Sequence, residues 1–138
     1  MPPRDKTIAL LLAKAAQDEY VLDKLLEDDA APLEVFGFHG QQAAEKLLKA
    51  ILSDAGIEYP RTHQLTELLD LAADRGLQLP SEFEELRHLT PFAVEFRYDV
   101  LPGEDREGLD KRAVRRQIAA LRAWVGQLRG PKLPRQAS

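Results

Sequence analysis

Apolar residues recur every three or four positions along most of the chain, a spacing that predicts helices rather than strands. The repeat is cleanest from about Leu109 to Leu128. There the apolar side chains form one seam, made of Val114, Ile118, Leu121, Val125 and Leu128. A seam with this coiled-coil-like spacing faces either the core of its own chain or a partner helix.

The same periodicity predicts three further long helices, whose ends are marked by proline, glycine and capping residues. We expect them from Asp5 to about Glu27, from Pro32 to Ala55, and from the cap residue Thr62 to Gly76. Between the third and the last long helix, Ser81 and Glu84 form a capping-box pattern, and Thr90-Pro91 repeats the signal of a cap followed by proline. These two signals predict two short helices, the second running through Tyr98.

These elements predict an all-α, up-and-down bundle of about five helices, with short extra helices between the third and last long ones. A chain of 138 residues is long enough for one domain with a single core. We place this domain at residues 1–129. The segment 130–138 has two prolines and no apolar periodicity, so we expect a disordered tail.

The second helix carries two distinct stripes at about 100° per residue. The apolar stripe, which predicts how the helix packs, consists of Phe36, Gly40, Ala43, Ala44, Leu47 and Ile51. An adjacent polar row consists of His39, Gln42, Lys46 and Lys49. These donors and cations need water or a ligand, so we expect the functional site here.

Composition excludes several classes of function. The chain has no cysteine, which rules out disulfides, thiolate metal sites and cysteine nucleophiles. No apolar run approaches the ~18 residues of a membrane span, and the start of the chain has no apolar signal core. We therefore expect a cytoplasmic protein without membrane contact. His39, His63 and His88 are not at metal-ligand spacing, and we expect neither a metal nor a cofactor.

Charge is divided sharply along the sequence. All 23 acidic residues lie at or before Asp110, whereas eight Lys and Arg residues and no acid follow it. On the last helix, Arg115, Arg122 and Arg129 recur every seven residues on one face. This face either packs against an acidic surface of another protein or forms salt bridges within the chain. The candidate partners within the chain are Glu82, Glu84 and Glu85, or Asp18 and Glu19. Binding to RNA or DNA is disfavoured, because the face has no interleaved aromatics and the rest of the chain would repel a polyanion.

Three segments together resemble the HEPN domain family, and in particular its branch found beside minimal nucleotidyltransferases. They are FHGQQAAEKLLKAIL from Phe38 to Leu52, PRTHQL from Pro60 to Leu65, and Arg97-Tyr98. The resemblance covers about residues 5 to 128. It implies a helical bundle that is usually a homodimer. It further implies a protein that binds nucleotides, cleaves RNA as a toxin, or partners a nucleotidyltransferase in a toxin–antitoxin-like pair.

Nucleotide binding suits the available side chains. Lys46 and Lys49 can neutralise phosphates, Gln42 can donate and accept hydrogen bonds, and Tyr59 or Tyr98 can stack on a base. We therefore predict a ligand site formed by Gln42, Lys46, Lys49, His63, Arg97 and Tyr98. No glycine-rich phosphate loop is present, so phosphate contacts would come from side chains or from the helix start near Thr62.

Catalysis is disfavoured by the same resemblance. Active HEPN nucleases place an arginine and a histidine four to six residues apart, and no pair in this sequence has that spacing. Asp99 also follows Arg97-Tyr98 where the branch tends to have proline, and it can neutralise Arg97. The leading hypothesis is a non-catalytic binding module. The alternatives are a ribonuclease toxin with a rearranged site, using Arg97 with His63 or His39 as base, and a structural dimer without a ligand.

Overall fold

The structure, a computed structural model, describes residues 4–92 and 109–130. Within these ranges the chain forms helices and no strand, which confirms the predicted all-helical fold. The α-helices are α1 (Arg4–Leu26), α2 (Leu33–Asp54), α3 (Leu65–Asp74) and α4 (Lys111–Arg129). A 3₁₀ helix, Ser81–Phe92, lies between α3 and α4 along the sequence.

Helix α2 is the centre of the bundle and contacts every other helix. It runs antiparallel to α1, since Arg4 at the start of α1 donates a hydrogen bond to the carbonyl of Asp54 at the end of α2. It runs in the same direction as α4, because Lys111 lies over the Phe36 ring and Arg129 hydrogen-bonds Asp54. Side chains on several sides of α2 are therefore shielded by neighbours.

The core contains the apolar stripes that the sequence predicts. Every member of the α2 stripe is buried, as are the first four members of the α4 seam. Leu128, the last member of that seam, is 44% exposed. The seam thus faces the core of its own chain rather than a partner helix.

Two glycines allow close packing around the first half of α2. A Cβ atom at Gly37 would lie 2.5 Å from two ring atoms of Phe92, the last residue of the 3₁₀ helix. At Gly40 a Cβ atom would lie 3.3 Å from the Val114 Cγ1 atom of α4. Gly37 lets the Phe92 ring pack directly on the helix backbone, which fixes the end of the 3₁₀ helix against α2.

Some predicted helix ends are wrong. Helix α3 begins at Leu65 rather than at Thr62, because the Thr62 hydroxyl accepts a hydrogen bond from the Gln64 N–H in a turn before the helix. The 3₁₀ helix continues without a break through Pro91, where we expected a second short helix to start. The remainder of that second helix and the tail after Gly130 lie outside the described residues.

In the two described ranges, no helix combines the length and the apolar character needed to cross a bilayer.

Candidate functional site

The polar row of α2 lies along the side of the helix that faces α1 and the loop before α3. Gln42, Lys46 and Lys49 are half-buried on α2, and His63 extends from the loop. Lys46 is bonded to one buried carboxylate, that of Asp18, whereas Lys49 and His63 contact a second, that of Glu45. Gln42 is bonded to Gln41 beside them. Arg97 and Tyr98, the other two predicted ligand residues, lie outside the described residues.

The first group, which we call the Asp18 cluster, joins α1 to α2. Asp18 is buried, with 7% of its surface exposed. It accepts a hydrogen bond from the Lys46 ammonium at 2.7 Å and is 3.0 Å from Nδ1 of His39. Because a buried carboxylate is costly without a partner, this pairing stabilises the contact between the two helices.

The second group, which we call the Glu45 cluster, joins α2 to the loop that carries His63. Glu45 is 4% exposed, and its carboxylate accepts a hydrogen bond from the Lys49 ammonium at 2.7 Å. Nδ1 of His63 lies 3.2 Å from the Oε2 atom of Glu45. Since Glu45 and Lys46 are consecutive residues, the two clusters lie side by side along the helix.

Gln41 completes the Glu45 cluster and is fully buried. Its side-chain amide donates to the backbone carbonyl of His63 and, at 3.3 Å, to Glu45. Its oxygen accepts a hydrogen bond from the amide of Gln42 at 3.0 Å. With both donor hydrogens and the acceptor engaged, Gln41 positions the His63 backbone as well as the carboxylate.

Each histidine presents its second ring nitrogen away from its carboxylate. An ionised carboxylate only accepts hydrogen bonds, so Nδ1 of each ring carries the proton that the contact uses. In the neutral ring Nε2 is then an acceptor, and in the charged ring it is a donor. The His63 side chain is 70% exposed, so its Nε2 is accessible to a ligand, whereas the His39 side chain is 25% exposed.

The charges of the polar row are balanced by this arrangement. The sequence indicates two free lysines that meet either water or a ligand, and the structure instead pairs each with a buried carboxylate. Each ammonium has three hydrogens. The Lys46 ammonium donates to Asp18 and the Lys49 ammonium to Glu45, which leaves donor capacity for a phosphate oxygen.

Asp18, Gln41 and Glu45 are the site residues that the sequence analysis missed. Two signals were present in the sequence. Asp18 lies three residues after Ala15 and four before Leu22, inside the apolar stripe of α1, where a carboxylate is unusual. Gln41, Glu45 and Lys49 are spaced four residues apart, which places them in one line along α2.

Tyr59 lies at one end of the polar row. Its ring centroid is 5.8 Å from the Lys49 ammonium, and its hydroxyl is 3.3 Å from the hydroxyl of Ser53. The ring also packs against the core and is half-buried. Tyr59 is thus held beside the Glu45 cluster with part of its surface open.

The arginine face of α4 is engaged within the chain. Arg115 pairs with Asp23 at 2.6 Å, Arg122 pairs with Glu19 at 2.6 Å, and Arg129 lies 3.4 Å from Asp54. The hydrogen bond from Arg115 lowers the pKa of Asp23 despite an opposing effect of burial. Salt bridges within the chain, rather than an acidic surface of another protein, therefore account for these three arginines. Arg112 and Arg116, on the same helix, are exposed.

No set of three or more histidine, cysteine, aspartate or glutamate residues in residues 4–92 and 109–130 could hold a metal ion. The Asp18 and Glu45 clusters instead pair each carboxylate with a lysine and a histidine.

Comparison with known proteins identifies a family. No curated protein and no solved structure matches the chain. The family of the HEPN domain matches residues 8–123, which take in most of α1, all of α2, α3 and the 3₁₀ helix, and most of α4. The match covers most of the chain and agrees with the all-helical bundle. The chain therefore belongs to the HEPN domain family.

Proposed function

We propose that this HEPN domain is a non-catalytic binding module whose ligand is a nucleotide, held along the polar row of α2. One observation carries the proposal: Lys46 and Lys49 of the row are each paired with a buried carboxylate, and the Glu45 carboxylate also contacts the exposed His63 ring. Ordered donors bind a phosphate with less loss of side-chain entropy than free surface lysines do. Lys46, Lys49 and the His63 Nε2 atom would contact the phosphates, and the Gln42 amide would contact the sugar or phosphate.

His63 offers the cleanest test, because its side chain is exposed and its loss should leave the fold intact. We expect His63→Ala to weaken ATP binding about tenfold, the effect of one charge-assisted hydrogen bond. Isothermal titration calorimetry with ATP and GTP measures this change. His88→Ala is a matched control, since the His88 side chain is 76% exposed and also lies beside a glutamate.

The outcomes distinguish the loss of a ligand contact from the loss of the folded state. Equal ATP affinity for wild type, His63→Ala and His88→Ala would contradict a site at His63. A second variant, Lys46→Ala combined with Lys49→Ala, should abolish binding, with Lys24→Ala on the outer side of α1 as its control. Thermal melting of each variant checks folding, because the double variant also removes the partners of two buried carboxylates.

The proposal also includes the proteins that this domain would bind. We propose that the domain forms a homodimer in the cytoplasm and partners a minimal nucleotidyltransferase, as in toxin–antitoxin-like pairs. The support is the resemblance of the Phe38–Leu52 and Pro60–Leu65 segments to that branch. The exposed apolar side chain of Leu10 on α1 offers surface for a protein contact. Sedimentation at micromolar concentration should show a dimer, and a monomer would contradict this part.

A ribonuclease is the second candidate, and one contact favours it. Glu45 orients the His63 ring with Nε2 outward, the arrangement of a general base. The arginine that this reaction needs, Arg97, lies outside the described residues. Incubating the protein with a short RNA tests this candidate: cleavage that Arg97→Ala and His63→Ala both abolish would favour the nuclease over the binding module.

A further inference from the structure

An open cleft lies next to the polar row, where the start of α1 meets the end of α2. Its volume is about 710 Å³, within the usual range for sites that bind small molecules. Its lining combines apolar and aromatic surface with hydroxyls and two charged side chains. The lining residues are Arg4, Thr7, Ser53, Gly56, Ile57, Glu58 and Tyr59.

Tyr59 belongs both to this cleft and to the surroundings of the proposed phosphate site. The Lys49 ammonium lies 5.8 Å from the centroid of the Tyr59 ring, and the same ammonium donates a hydrogen bond to Glu45. The Ser53 hydroxyl, 3.3 Å from the Tyr59 hydroxyl, also lines the cleft. The cleft and the polar row are therefore neighbouring parts of one surface, joined at Tyr59.

The walls of the cleft are held in place by local structure. Arg4 is anchored by its hydrogen bond to the Asp54 carbonyl at 3.3 Å. The chain turns at Gly56, whose φ of +76° is a left-handed conformation that glycine adopts without strain. A Cβ atom at this position would lie 3.9 Å from the Arg4 guanidinium, an ordinary contact, so the backbone conformation rather than lack of space favours glycine here. Ile57 is buried and fixes the loop that carries Tyr59.

We propose that this cleft binds the base of the nucleotide whose phosphates lie on the polar row. The inference rests on the proposed function and adds the location of the base. Tyr59 supplies an aromatic face for stacking, and Arg4 supplies a planar guanidinium that can stack or donate. The Thr7 hydroxyl and the Glu58 carboxylate can bond the polar edge of the base. The size of the cleft leaves room for a purine.

The test compares a ligand with a base and one without. Isothermal titration calorimetry with ATP and with inorganic tripolyphosphate separates binding of the base from binding of the phosphates. We expect the wild type to bind ATP more tightly than tripolyphosphate. Tyr59→Leu should weaken ATP binding about tenfold, the effect of one base–aromatic stack, and leave tripolyphosphate binding unchanged. Tyr59→Phe should keep most of the ATP affinity, because it keeps the ring.

A matched control is available on the outer surface of α1. Tyr20 is 64% exposed and, like Tyr59, has a lysine ammonium over its ring, that of Lys24 at 5.4 Å. Tyr20→Leu should change neither affinity. If Tyr59→Leu lowers the melting temperature, Arg4→Ala provides a second variant at the cleft, and it should also weaken ATP binding selectively.

The outcomes distinguish failure of the base site from failure of the proposed function. Equal affinities for ATP and tripolyphosphate, both insensitive to Tyr59→Leu and Arg4→Ala, would overturn the base site and leave the phosphate site standing. Absence of binding for both ligands would overturn the proposed function itself. A loss of tripolyphosphate binding in Tyr59→Leu would also count against the base site, because the variant would then act through Lys49.

Discussion

Replacing Gly37 with alanine tests the close packing that positions α2 against the 3₁₀ helix. A Cβ atom at this position would lie 2.5 Å from the Cδ1 and Cγ atoms of Phe92 and 2.8 Å from its Cε1 atom. Ordinary contacts between carbon atoms are about 3.5–4.0 Å. The ring must therefore move by about 1 Å within a packed core, and Phe92 is only 5% exposed.

Two effects of opposite sign determine how much Gly37→Ala changes the free energy of unfolding. Overpacking typically costs about 1–3 kcal/mol, and three close ring contacts place Gly37→Ala near the upper end of this range. Alanine stabilises a helix interior by about 1 kcal/mol relative to glycine. We therefore expect the free energy of unfolding to fall by about 2 kcal/mol. For a domain of this size that change lowers the midpoint of urea denaturation by about 1 M.

Gly126→Ala is the control, because Gly126 lies within α4 and a Cβ atom there would meet nothing within 4 Å. It should raise stability by up to about 1 kcal/mol through helix propensity alone. Phe92→Leu should lessen the cost of Gly37→Ala in the double variant, since the two positions share one contact. A Gly37→Ala protein as stable as wild type, or more stable, would refute this account of the packing.

Two further predictions concern charged residues. Asp18→Ala should lower the free energy of unfolding, measured by urea denaturation, by about 3 kcal/mol, because it leaves the Lys46 ammonium half-buried without its carboxylate. As a control, Glu85→Ala removes an exposed carboxylate and should change the free energy of unfolding by less than about 0.5 kcal/mol. The pKa of Asp23 is lowered by Arg115, so their pair contributes stability above the unfolded pKa and loses it as pH falls through the folded pKa. Since the Asp23 side chain is 57% exposed, Asp23→Asn should cost about 0.2–1 kcal/mol at pH 7 and almost nothing at pH 2. A difference that persists unchanged at pH 2 would contradict this assignment.

The fold was predictable from the sequence because apolar periodicity is strong in the long helices. The stripe on α2 and the first four positions of the α4 seam are buried as expected. Helix starts were less predictable. Thr62 has the chemistry of an N-cap, but its hydroxyl accepts a bond from Gln64 N–H two residues on, so α3 starts later. This local turn competes with helix initiation and leaves no mark in periodicity.

The candidate site was predictable in position and not in its electrostatics. Helical spacing places Gln42, Lys46 and Lys49 on one side of α2, as the structure has them. Spacing within one helix cannot show that Lys46 meets Asp18, because that contact joins residues 28 positions apart on two helices. The partner depends on how α1 and α2 are aligned, and this alignment is a property of the tertiary packing.

The pairing of the lysines has a consequence for the kind of ligand that the proposed site favours. A polyanion gains affinity mainly by releasing counterions from many phosphates that the protein neutralises. The polar row has two lysines, each already beside a buried carboxylate, so it supplies little net positive charge for such a mechanism. Three arginines that would extend a cationic surface on α4, Arg115, Arg122 and Arg129, are paired with Asp23, Glu19 and Asp54. A small ligand that exploits ordered donors therefore fits this surface better than a long RNA does.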